Sequence, residues 1–349
     1  MPTLSREVES SLKAGKVIPA HPLALDASRQ LDERRQRALS RYYIDAGAGG
    51  LAVGVHTTQF EIREPDHALY EPVLRLAKDV MSRNASSDFI KVAGISGNTE
   101  QATREATLAR DIGYDIGLVS LAALKDADDD ALIAHCRALA DVIPVMGFYL
   151  QPAVGGRILP YSFWRQFVEI EGVVAIKMAP FNRYQTLDVL RGVAASGRAD
   201  QISLYTGNDD NIIVDLLSRF RFGEVELEIV GGLLGHWSAW TQPAVRQLEQ
   251  CQAIKAAGAD IPEAQLTLAA EVTDSNAAFF DVANAFAGCI AGMHEVLRRQ
   301  GLLEGTWCLN PEEGLSPGQK EEIDRVYAAY PHLNDDAFVG ENVERWLAD

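Results

Sequence analysis

The chain predicts a (β/α)₈ barrel of the TIM type with a C-terminal helical extension, and three observations carry that prediction. Eight short apolar runs alternate with segments of helical period as far as about residue 240, the pattern of parallel strands covered by helices. A polar residue or a glycine interrupts most of these runs at the same point of each unit. No GxGxxG follows the first run, which weakens the rival open doubly wound sheet.

The runs follow in order. Lys16–Ala20 reads as the first strand and is ended by His21-Pro22, with helical spacing from Ser28 to Ala46. Leu51–Val55 is the second and runs into His56-Thr57-Thr58-Gln59. Ile90–Ile95 is the third, and Asn98 opens the helix behind it, since an Asn side chain can accept from the first free amides of a helix. Asp115–Leu121 and Ile143–Leu150 are the fourth and fifth. The sixth, Val173-Val174-Ala175-Ile176, ends on Lys177, and the seventh, Ile202–Thr206, stops at Gly207-Asn208-Asp209. The eighth is placed at Val225–Val230, before Gly231-Gly232. Residues 1–240 are therefore expected to form the barrel. Residues 241–349 should form an all-helical extension packed on it, with helices at Ala244–Ala257, Pro262–Thr273, Ala277–Gln300 and Pro317–Ala329.

Composition bounds the function. A chain of 349 residues, 47% hydrophobic and 23% charged, is that of an ordinary globular protein. A net charge of -17 argues against nucleic acid or anionic lipid as the main partner. Neither a membrane span nor the apolar core of a signal peptide is legible, and the 4 cysteines form no CxxC pair, so a reducing cytoplasm is the expected setting.

Chemistry points to Lys177. An ammonium is costly to bury, and burial lowers a lysine pKa because it disfavours the charged form. The neutral amine attacks carbonyls to form Schiff bases. Catalytic groups of such barrels sit at the C-terminal strand ends, and that rule gathers His21, His56, Thr57, Thr58, Tyr149, Lys177, Gly207, Gly231 and His236 around one mouth. Tyr149, one βα unit before Lys177, offers a phenol able to relay protons. Two hydroxyls and two amides at Thr57-Thr58 suit a carboxylate. His21, His56 and His236 support a different class, a metal-dependent hydrolase or aldolase, and a barrel without catalysis is a third possibility.

Four short motifs in the same order resemble the dihydrodipicolinate synthase / N-acetylneuraminate lyase family of class I aldolases and dehydratases. The family's GTTGE after strand two is similar to His56-Thr57-Thr58-Gln59, and its YxxP after strand five is Tyr149-Leu150-Gln151-Pro152. Its strand-six lysine, in a context like VxGIK, is Val173–Lys177, and its SGDD is similar to Thr206-Gly207-Asn208-Asp209. The resemblance implies a lyase that breaks a C–C or C–O bond of a 2-oxo acid or sugar acid. Lys177 would be the Schiff-base nucleophile, Tyr149 the proton relay, and Thr57 and Thr58 the carboxylate site. It also implies no metal or organic cofactor, and a homotetramer. Departures argue against dihydrodipicolinate synthesis itself. His56 replaces a glycine, the acid after the Thr pair moves to Glu61, and Leu121-Ala122-Ala123 stands for Pro-Tyr-Tyr. Val154 replaces the arginine after YxxP, with Arg157 the nearest substitute.

Overall fold

The computed structural model describes residues 2–258 and 260–348. An eight-stranded parallel sheet is its frame. The strands are β1 (Val17–Pro19), β2 (Gly50–Val53), β3 (Ile90–Ile95), β4 (Ile116–Val119), β5 (Val145–Leu150), β6 (Val173–Ala179), β7 (Ser203–Thr206) and, after a hairpin of β8 (Arg219–Phe222) and β9 (Val225–Glu228), β10 (Gly231–Leu234). The sheet order is β1-β10-β7-β6-β5-β4-β3-β2, and a parallel bridge from Ala20 to Ala52 joins the two ends into a barrel. The expected fold class is borne out.

Around it run α1 (Arg6–Ala14), α2 (Glu33–Asp45), α3 (Tyr70–Asn84), α4 (Thr99–Ile112), α5 (Asp129–Ala140), α6 (Tyr161–Phe167), α7 (Arg183–Ala194), α8 (Ile212–Leu217) and α9 (Thr241–Ala257). Local chemistry sets several of their starts. The side chains of Asp32, Asn98, Asp128 and Asn182 each accept a hydrogen bond from an amide of the first turn. Further helices are α10 (Glu263–Phe279), α11 (Cys289–Arg299), α12 (Gln319–Ala329) and α13 (Asp336–Leu347). Because α9 packs on α8 and β1, it completes the eighth βα unit, although a boundary at residue 240 assigns it to the extension.

The apolar interior has two layers. Ile18, Ala52, Val92, Leu118, Met146, Phe148, Ala175 and Leu233 fill the inside of the barrel together with Val8 and Leu12 of α1. Leu51, Val53, Ile95, Val119, Val145, Tyr149, Ile176 and Met178 face the surrounding helices. Successive residues thus alternate between the layers, as the pleat requires.

Three expectations need correction. The eighth barrel strand is β10, not Val225–Val230. The run Glu224-Val225-Glu226-Leu227-Glu228 alternates charged and apolar residues, which suits a sheet with one wet face. It forms β9, antiparallel to β8, with the ion pairs Arg219–Glu228 and Arg221–Glu226 on it. The sequence after the seventh run reads as helical from Asp210 to Phe220, yet the helix there shortens to α8, because Arg219 and Phe220 join β8. The helix expected over Ala277–Gln300 is broken between Phe279 and Cys289, where Asp281, Ala285 and Phe286 take positive φ. No helix of the described residues is long and apolar enough to cross a membrane.

Candidate active site

Lys177 lies on the inner face of β6 between Ala175 and Ala179. Its register partners are Phe148 on β5 and Tyr205 on β7. Only 7% of the residue is exposed. Its Nζ stands 4.3 Å from the centroid of the Phe148 ring. Among the described residues, no carboxylate comes within the 4.0 Å of an ion pair. The side chain needs the space left by Gly207, where a Cβ would stand 2.6 Å from the lysine Cε. Burial pulls the amine below the ordinary lysine range, and the charge of Asp209 opposes that shift.

The amine faces a cavity of about 590 Å³, part of it open to solvent. His56, Thr57, Gln151, Gly207, Asp209 and Gly235 line it together with Lys177. Asp209 is 5% exposed, and its Oδ1 accepts from the backbone amide of His236 at 2.9 Å. Burial pushes its carboxyl well up, against that hydrogen bond and the lysine charge. His56 is held near 4 by burial first and by Lys177 second, so its imidazole is neutral at ordinary pH. The cavity thus combines a buried amine, a carboxyl poised to exchange a proton, and three neutral hydrogen-bonding side chains, His56, Thr57 and Gln151.

Several expected site residues lie elsewhere. Tyr149 stands on the other face of β5, beside Phe148, with its ring 5.4 Å from that of Trp164 and its hydroxyl accepting from the Leu159 amide at 3.1 Å. The phenol is therefore among the helices, and the relay drawn from YxxP does not fit this geometry. Thr58 does not offer its hydroxyl to a ligand: it accepts from the amides of Gly54 and Val55 at 3.0 and 3.2 Å and donates to the His21 carbonyl at 2.7 Å. It locks the turn that presents Thr57.

His21 points away from the mouth, with Nε2 2.8 Å from Ser40 Oγ and Nδ1 2.7 Å from the Pro22 carbonyl. His236 stacks on Phe279 at 5.6 Å, and burial holds both imidazoles near 4. Of the three histidines, only His56 lines the cavity. Among the described residues no three His, Cys, Asp or Glu side chains converge as ligands, so the metal reading loses its ligand set. Gly231 begins β10 rather than following a strand, and a Cβ there would stand 2.6 Å from the backbone of Lys16. Gly235, beyond the end of β10, takes the place at the mouth. Arg157 is committed elsewhere: its Nη1 donates to the carbonyls of Leu124 at 2.6 Å and Ala127 at 2.8 Å.

Sequence reasoning missed the roof. Phe280, Phe286, Cys289, Ile290 and Met293, from the broken segment and α11, complete the cavity. The only local signal is a cluster of large apolar residues among small ones at Ala277–Met293. It also passed over Asp209 as a reacting group, although the Thr206–Asp209 motif contained it.

No protein-family model matches the chain. It is 27% identical over 223 residues to a 4-hydroxy-tetrahydrodipicolinate synthase of Desulforudis audaxviator, covering 62% of this chain and 71% of that one. Among solved structures, it is similar to a dihydrodipicolinate synthase from Aquifex aeolicus (TM-score 0.71, 17% identity, 91% of this chain and 98% of that one). It is also similar to an N-acetylneuraminate lyase from Fusobacterium nucleatum (TM-score 0.70, 15% identity, 91% and 99%). At these identities the structural likeness speaks for the fold.

Proposed function

We propose, from the premise that this chain is a divergent member of the dihydrodipicolinate synthase / N-acetylneuraminate lyase family and a lyase of the class I aldolase type, that it forms a Schiff base between Lys177 and a 2-oxo acid and then breaks or makes a C–C or C–O bond. One observation carries the reading. A buried lysine at a barrel strand, free of any ion pair among the described residues, faces a cavity and has its pKa lowered by burial. A lysine kept for stability would pair with a carboxylate, because an unpaired buried charge is costly.

The neutral amine adds to the carbonyl carbon, the resulting carbinolamine oxygen takes a proton and leaves as water, and a protonated imine remains. Its positive nitrogen accepts the electron pair of the adjacent bond as that bond breaks. Thr57 would hold the substrate carboxylate. The proton transfers fall to Asp209, whose raised pKa lets it both give and take a proton near neutral pH. Dihydrodipicolinate synthesis itself is disfavoured by Val154 in the cavity wall and by the fixed contacts of Arg157. A homotetramer and a cytoplasmic setting belong to the same proposal, by analogy with the family.

The test is borohydride reduction in the presence of a panel of 2-oxo acids, with the modified peptide located by mass spectrometry. An adduct on Lys177 is expected. An adduct on another residue, or none with any acid, refutes the mechanism.

A further inference from the structure

The wall of the cavity beyond the strand ends differs in chemistry from its floor. The floor carries Lys177, Asp209, His56 and Thr57. The loops after β5 and β6 and the α10–α11 segment contribute Val154, Phe181, Phe280, Phe286, Ile290 and Met293. Among the described residues Lys177 is the only lysine or arginine of the lining. A substrate with a second carboxylate or a phosphate would find no cation in that wall and, beyond Gln151 after β5, little but carbon, which is strongly unfavourable for a charge. A polyhydroxylated chain would lose its water hydrogen bonds to a wall that offers few replacements.

The backbone adds a second observation. Phe181 and Phe286 both hold positive φ, 50° and 69°, although neither is glycine. Such conformations persist only where the surroundings enforce them, and they cluster at ligand sites. Their rings, one from the loop after β6 and one from the segment between α10 and α11, meet edge to face, 5.9 Å apart at 70°. The packing that enforces these two backbones thus keeps both aromatic side chains at the cavity.

We propose that this chain takes 2-oxo acids whose tail beyond the reacting carbons is uncharged and apolar, an aryl or branched-alkyl group seated against Phe181, Phe286 and Met293. The tail would gain by leaving water for a carbon-lined site, and the aromatic pair would favour a flat ring. This substrate class rests on the Schiff-base reading for its chemistry, but its binding does not.

Calorimetric titration of the full chain with pyruvate, 4-phenyl-2-oxobutanoate, 2-oxoglutarate and a polyhydroxylated sugar-derived 2-oxo acid tests it. The phenyl acid should bind at least tenfold more tightly than pyruvate, and the charged and hydroxylated acids no more tightly than pyruvate. Phe286→Ala should weaken the phenyl acid far more than pyruvate, so that most of the affinity ratio between them is lost; Met293→Ser serves as a second variant if the first fails to fold. A charged or hydroxylated acid that binds as tightly as the phenyl acid overturns the proposal, as does a phenyl acid no tighter than pyruvate. Borohydride added to each complex separates the two readings. Tight phenyl binding without a Lys177 adduct leaves the substrate class and removes the mechanism, whereas adducts without apolar preference do the reverse.

Discussion

The two ends of the barrel are built from the same strands and are finished in opposite ways. At the N-terminal end α1 lies across the opening, with Val8 and Leu12 in the inner apolar cluster, 2% and 1% exposed. The polar group there is satisfied: the Tyr205 hydroxyl donates to the Leu12 carbonyl at 2.9 Å. At the C-terminal end the chain leaves a cavity under α10 and α11, and an amine and a carboxyl are buried in it without pairing to each other at ion-pair distance. One end is closed on apolar contacts and a satisfied hydroxyl, and the other keeps an amine and a carboxyl beside open space. Unpaired buried charge is a mark of function when it sits in a cavity, because folding alone would select against it.

The largest expected effect breaks the working end alone. Lys177→Arg keeps a cation but loses the nucleophile, so adduct formation and turnover should fall at least about 1000-fold with the circular dichroism spectrum unchanged. Retained turnover would mean that the amine is not the reacting group. The sealed end should respond in stability instead. Leu12→Ala should cost about 2–5 kcal/mol in denaturant unfolding while kcat of the folded fraction stays the same. A loss of activity without a loss of stability would erase the distinction between the ends.

A pH series sharpens the comparison further. Adduct formation needs the neutral amine, so its rate should rise with pH through the Lys177 pKa, below the range where an ordinary lysine deprotonates. The Asp209 charge favours the ammonium. Asp209→Asn should therefore move the rising limb to lower pH, read by stopped borohydride trapping; a shift to higher pH contradicts the assigned coupling. The smallest effect is expected from Tyr149→Phe. It removes one hydrogen bond to the Leu159 amide, worth roughly 0.5–1.5 kcal/mol, and should leave turnover within a factor of about two. A large drop in kcat at unchanged stability would restore the phenol as a relay.

Much of the fold was legible because hydropathy period is a local property. The strands at Ile90–Ile95 and Val173–Ala179 stand where the apolar runs are, and the cap of α4 is the expected Asn98. Lys177 was legible as a polar residue following a doubly buried run, although β6 continues past it to Ala179. The eighth strand was misplaced although its signal existed. Alternating glutamates mark β9 as a wet hairpin, whereas Gly-Gly-Leu-Leu is the continuous run of a buried strand.

The sequence by itself determined the alternation of strands and helices, and with it a barrel with a lysine at the mouth, because those features depend on residues a few positions apart. Which of Phe148 and Tyr149 meets that lysine was decided only in the tertiary structure. Both faces of β5 are apolar, so hydropathy does not say which looks inward, and an irregularity in the pairing at Val145/Met146 sets the register with β6. The roof was likewise decided by packing. The break after Phe279 carries no proline, yet it turns Phe280 and Phe286 over the cavity, where contacts across the chain outweigh the local helical preference.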